Sequence, residues 1–142
     1  MNVLIVCAGN TCRSPMAAGV LIKVARELGI TVSVRTAGLA HDPNTPVAAQ
    51  AVEVMREIGI DISHDYSKPV TDADLQWADI VVGLQRSHLD HLAEEHPSVV
   101  GKLRYLGHDV EDPYLGSLEI YRATRDELDS AFRAVAKTLL TS

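Results

Sequence analysis

The stretch Val3-Leu4-Ile5-Val6-Cys7-Ala8-Gly9-Asn10-Thr11-Cys12-Arg13-Ser14-Pro15 decides the fold. Val3 to Val6 is an unbroken aliphatic run, which suits a strand buried on both faces of a parallel sheet, and Gly9-Asn10 breaks it. A helix is expected at once. Ser14 is a good N-cap, Pro15 a good first helical residue, and Ala17, Val20, Leu21, Val24 and Leu28 recur at helical spacing before Gly29. The unit is strand, tight turn, helix.

Working outward, residues 31–36 read as a second strand, and Asn44-Thr45-Pro46 opens a helix whose apolar face includes Ala48, Val52, Met55 and Ile58. Thr71 is placed to cap a short helix running to Trp77. Residues 80–84 read as strand three, 87–95 as a helix, 103–106 as strand four and 118–140 as the closing helix, with Leu128, Ala131, Val135 and Leu139 facing inward. Strands alternating with helices predict an α/β fold: an open four-stranded parallel sheet with helices on both faces, joined by right-handed crossovers. No linker or repeat interrupts residues 1–142, so one domain is expected. In such sheets ligands bind beyond the carboxyl ends of strands, and the turn after strand one is the usual place.

Composition narrows the function. A net charge of −6 argues against a general nucleic-acid binder, which needs a broad basic surface to displace counterions, so any anion site must be local. The N-terminal apolar run is too short for a signal or a membrane span, and a cytoplasmic protein with no membrane partner is expected. Two cysteines, Cys7 and Cys12, cannot supply a disulfide scaffold, and no zinc motif is present. His88, His91 and His96 with Glu94 and Glu95 fit neither metalloprotease spacing and read as a solvated helix face.

The loop Cys7-Ala8-Gly9-Asn10-Thr11-Cys12-Arg13-Ser14 sets a thiol and a guanidinium at its two ends. Gly9 and Asn10 tolerate left-handed backbone, so successive amides can turn inward, and the following helix adds its positive end. That is an anion cradle. The same field favours a thiolate at Cys7, and Arg13 has the fork geometry that grips two phosphoryl oxygens. Ser14 can cap the helix or donate to the thiolate. The spacing is neither a Walker A loop, a dinucleotide fingerprint nor a Cys-x-x-Cys redox motif.

At Cys7 to Pro15, Thr36-Ala37-Gly38 and Asp112-Pro113-Tyr114 the sequence resembles the low-molecular-weight protein tyrosine phosphatases. The resemblance implies a cysteinyl-phosphate intermediate, no metal or other cofactor, phosphorylated protein substrates, and a general acid at Asp112. Pro113 restrains the backbone of Asp112, whereas the rival acids Asp109 and Glu111 lack a following proline. The resemblance further implies a supporting network of Asn10, Ser14, Thr36 and His64, the last being equally readable as a loop histidine. It sets no oligomeric state.

The chain departs from the family in ways that bear on substrate. Ala18 stands where a glutamate is common, and Leu115 follows Tyr114 where tandem tyrosines are common. The loop Leu39-Ala40-His41-Asp42-Pro43 lacks the aromatic that tyrosine-specific relatives stack on substrate. Thr11, with Leu39 and Tyr114, is expected to line the substrate pocket. Thr11 and the stretch Gly116-Ser117-Leu118-Glu119-Ile120-Tyr121 resemble the protein-arginine phosphatase branch, although Thr11 also reads as a packed loop residue. Phosphotyrosine and phosphoarginine therefore both stand as substrates. Cys12 reads as a redox partner for Cys7 or as a packing residue. An arsenate reductase borrowing an external thiol is the enzymatic alternative, and a phosphoresidue-binding module, which would need neither Cys7 nor Asp112, is the non-enzymatic one.

Overall fold

A computed structural model describes residues 1–39 and 44–140. The first strand β1 (Asn2–Cys7) feeds α1 (Arg13–Glu27), and β2 (Ser33–Gly38) and α2 (Ala49–Arg56) follow. Next come α3 (Asp72–Trp77), β3 (Ile80–Gly83), α4 (Arg86–Glu95), a 3₁₀ segment (Pro97–Lys102), β4 (Leu103–Tyr105) and α5 (Leu118–Leu140). All strands are parallel, in the order β2-β1-β3-β4.

This order puts the topological switch at β1. The chain leaves β1 toward β2 on one side and later returns to β3 on the other, which opens a crevice beyond Cys7. Alternation along β1 divides the core. Val3, Ile5 and Cys7 join the cluster formed with α1, α2 and α5, around Met16, Leu21, Met55, Leu128 and Phe132. Leu4 and Val6 face Leu75 of α3, Leu92 of α4 and Val99. Burial on both faces is why the strand could be written as a continuous aliphatic run.

Two local expectations need correction. Helix α1 starts at Arg13, its N-cap is Cys12, and no side chain caps it; Ser14 is its second residue and Pro15 its third. Proline is tolerated there because the first helical turn has no intrahelical acceptors for its amides. Nor do Asn44-Thr45-Pro46 open a helix. Pro46 instead bridges Tyr66, Asn44 takes a φ of 61°, and α2 begins after Ala48 with Ala51, Val54 and Met55 as its buried face. Thr71 caps α3 as expected, exchanging hydrogen bonds with Asp74.

Candidate active site

Cys7 ends β1, and its buried Sγ lies 3.1 Å from Ser14 Oγ and accepts the Asn10 N–H at 3.2 Å. Asn10 Nδ2 donates to the same Ser14 oxygen at 2.6 Å. Asn10 takes the left-handed backbone, φ 57°, that lets the loop reverse, whereas Gly9 does not use its freedom. The carbonyls of Cys7 and Thr11 are taken by the N–H groups of Leu39 and Ala48, at 3.0 and 2.9 Å. Because carbonyl and following amide oppose each other in a trans peptide, the N–H groups of Ala8 and Cys12 point away from those partners.

Arg13 is 2% exposed. Its Nη1 donates to the Val110 carbonyl at 2.9 Å, its Nη2 stands 3.6 Å from Asp112 Oδ2, and its Nε has no partner among the described residues. A buried donor left over is costly unless an acceptor comes to it, and a phosphoryl oxygen is such an acceptor. The loop bearing Asp112 thus touches the loop of residues 7–13. Asp112 Oδ1 accepts the Cys12 thiol at 3.3 Å and the Tyr114 N–H at 3.0 Å. Of the rival acids, Asp109 is occupied by the Arg86 N–H and the Tyr105 hydroxyl, both at 2.8 Å, which hold its carboxyl below the usual range. Glu111 is exposed.

Gly38 explains the Thr36-Ala37-Gly38 motif. A Cβ there would stand 3.0 Å from the Ala8 carbonyl oxygen and 3.2 Å from Asn10 Cβ, so a side chain would push the loop off the end of β2. Thr36 itself is buried beside Ile5 in the sheet and, among the described residues, makes no hydrogen bond to the loop. The brace expected of His64 is also not found: its side chain is 92% exposed and faces Asp61 at 3.8 Å. The Lys68 N–H takes that place, donating to Asn10 Oδ1 at 3.1 Å while Lys68 O and Val70 N–H bind Gly38. A backbone donor has no identity that sequence spacing can reveal.

Of the residues expected to line a substrate pocket, Thr11 is half-buried with Oγ1 close beside Gly9, and Tyr114 is 61% exposed. Leu39 packs on the Leu4–Val6 side of the core, and residues 40–43 of its loop lie outside the described residues. The solvated-face reading of α4 fails at His88, which is buried and whose pKa is pushed down to about 4 by burial and the Arg13 cation. His88 lies one residue before Leu89 and four before Leu92, on the apolar stripe, and that spacing was the available signal.

A sheltered thiol set between the Asn10 N–H and the Ser14 hydroxyl, a tight loop after the strand, a buried guanidinium and a carboxyl facing them define a cysteine-dependent phosphatase. Sequence comparison agrees. The model of the low molecular weight phosphotyrosine protein phosphatases matches residues 2–142, and the chain belongs to that family. It is 37% identical to a protein-arginine-phosphatase of Bacillus subtilis, over 98% of this chain and 97% of that one. It is 34% identical to a protein-arginine-phosphatase of Geobacillus stearothermophilus, over 99% and 97%. A solved YwlE arginine phosphatase, a C7S mutant with a phosphorylated active site serine, superposes with a TM-score of 0.92 at 36% identity, covering 100% of this chain and 97% of that one. Among the described residues no helix is long and apolar enough to cross a membrane.

Proposed function

We propose that the chain removes phosphate from phosphorylated protein side chains, with phosphoarginine as a substrate alongside aryl phosphates, and that Cys7, Arg13 and Asp112 carry the reaction. The hydrogen-bonded row Asn10, Ser14, Cys7 beside the buried Arg13 is the observation that carries this reading.

Phosphoryl oxygens sit on the loop amides and the Arg13 guanidinium, which fixes phosphorus in line with Cys7 Sγ. The thiolate attacks phosphorus, the bond to the leaving nitrogen or oxygen breaks, and the Asp112 carboxyl gives that atom its proton. In the second step the Asp112 carboxylate takes a proton from water as the water oxygen attacks phosphorus. The S–P bond then breaks and orthophosphate leaves. The departing thiolate is met by the Ser14 hydroxyl and the Asn10 N–H.

Thr11 supports the substrate assignment, because a hydroxyl at the rim offers a guanidinium the polar partner that an aliphatic residue would withhold. The full-length likeness to two relatives named protein-arginine-phosphatases supports it as well. The test is kcat/KM on phosphoarginine and phosphotyrosine peptides, with Cys7→Ser as control and intact-mass trapping of phosphorylated Asp112→Asn. Hydrolysis of phosphotyrosine alone would overturn the phosphoarginine assignment, and turnover by Cys7→Ser would overturn the nucleophile.

A further inference from the structure

Chemistry at Cys7 leaves the chain's second cysteine without a part, yet Cys12 is placed with care. It is the N-cap residue of α1, is 4% exposed, and its Sγ meets Asp112 Oδ1 at 3.3 Å from 100 residues away in sequence. A carboxylate only accepts, so the thiol is the donor. Burial, and then the facing Asp112 charge, push the Cys12 thiol up to about 12, so its proton stays on sulfur across the neutral range.

The contacts on the carboxyl are unequal. Oδ1 takes both the Cys12 S–H and the Tyr114 N–H, while Oδ2, among the described residues, has only the Arg13 Nη2 group at 3.6 Å, beyond hydrogen-bond length. The two donors on Oδ1 come from different elements, the anion loop and the acid loop. Together they fix the rotation of the carboxyl group and leave Oδ2 to carry the transferable proton.

We propose that Cys12 is a positioning residue for the general acid: its S–H, donated to Asp112 Oδ1, turns Oδ2 toward the leaving atom and couples the acid loop to the anion loop. The proposal rests on Asp112 being the general acid. It gives Cys12 a function in every turnover, independent of oxidation.

The test is a double-mutant cycle on aryl phosphates with good and poor leaving groups. Cys12→Ala slows the poor leaving groups roughly fivefold more than the good ones, Cys12→Ser recovers most of that loss, and Cys12→Ala adds no leaving-group dependence in an Asp112→Ala background. A uniform loss across the series, or an equal loss in the Ala and Ser variants, overturns the positioning role. If Asp112→Ala itself slows all leaving groups alike, the general-acid reading fails and the positioning role falls with it. Infrared spectroscopy supplies a readout independent of catalysis and of the alanine variant's folding. The S–H stretch that disappears in Cys12→Ser should move to higher frequency in Asp112→Asn, and an unmoved band also overturns the proposal.

Discussion

Asn10 Nδ2 donates to Ser14 Oγ across 2.6 Å, and the Cys7 thiol donates to the same oxygen at 3.1 Å. Once Cys7 ionises, its sulfur can only accept, so the Ser14 O–H, its oxygen still held by Asn10, turns to donate to it. The hydroxyl is therefore held within reach of the sulfur before the thiolate forms. Ser14→Ala removes a hydrogen bond to a charged sulfur, a loss of about 1.5–3 kcal/mol, or roughly ten- to hundredfold in rate. Pre-steady-state kinetics should locate the deficit in both formation and breakdown of the phosphoenzyme. Asn10→Ala should reproduce part of it, because the Ser14 hydroxyl is then free to rotate.

Thr11→Ile replaces a polar rim residue by an apolar wall. The ratio of kcat/KM for phosphoarginine over phosphotyrosine peptides should fall about tenfold, the equivalent of one hydrogen bond near 1.4 kcal/mol. An unchanged ratio would remove Thr11 from the account of selectivity.

His88 makes acid destabilising earlier than the carboxylates do. In the folded chain its pKa is lowered from 6.5 to about 4 by burial first and the Arg13 cation second; Asp109 and Asp112 oppose the shift and His91 adds to it. Between those two values the unfolded chain binds a proton that the folded chain refuses, so stability falls as pH drops from about 6.5 to about 4 and this contribution levels off below. Urea unfolding at pH 7 and pH 4.5 should show a smaller acid loss in His88→Gln than in wild type. Parallel losses would mean that His88 is protonated in the fold.

Oxidation tests the other use of Cys12. A sulfenic acid formed at Cys7 can be rescued by condensing with Cys12, but a thiol pushed up to about 12 presents little thiolate at neutral pH. A Cys7–Cys12 bridge should therefore form slowly and accelerate about tenfold per pH unit between pH 7 and 9. Non-reducing peptide mass spectrometry after peroxide treatment measures this rate. Cys12→Ser should lose more activity irreversibly. A fast, pH-independent bridge would show that the Asp112 contact releases before condensation.

The legible parts were those written in local pattern. The aliphatic run of β1, the stripe of α5 and the Thr71 cap each follow from neighbouring side chains, and they appear where periodicity and capping place them. The thiol and guanidinium were legible for the same reason, since strand, turn and helix fall in one short stretch. Contacts that depend on packing were not. Lys68 serves through its backbone, and Gly38 through the side chain it lacks. Ser14 was legible only as a choice between capping the helix and serving the thiolate; no side chain caps α1, and its oxygen lies 3.1 Å from the sulfur at the strand end.

Lys68 reaches Asn10 across 58 residues, and Arg13 reaches Val110 across 97. No fragment of the chain that stops short of Val110 holds both contacts, so the anion loop is completed only by residues that follow β4. A chain that ends before Val110 has a Cys7 loop without the Arg13 anchor, and one that ends before Lys68 has neither anchor. Completion of the anion loop therefore waits on the second half of the chain, because its farther anchor, Val110, follows β4.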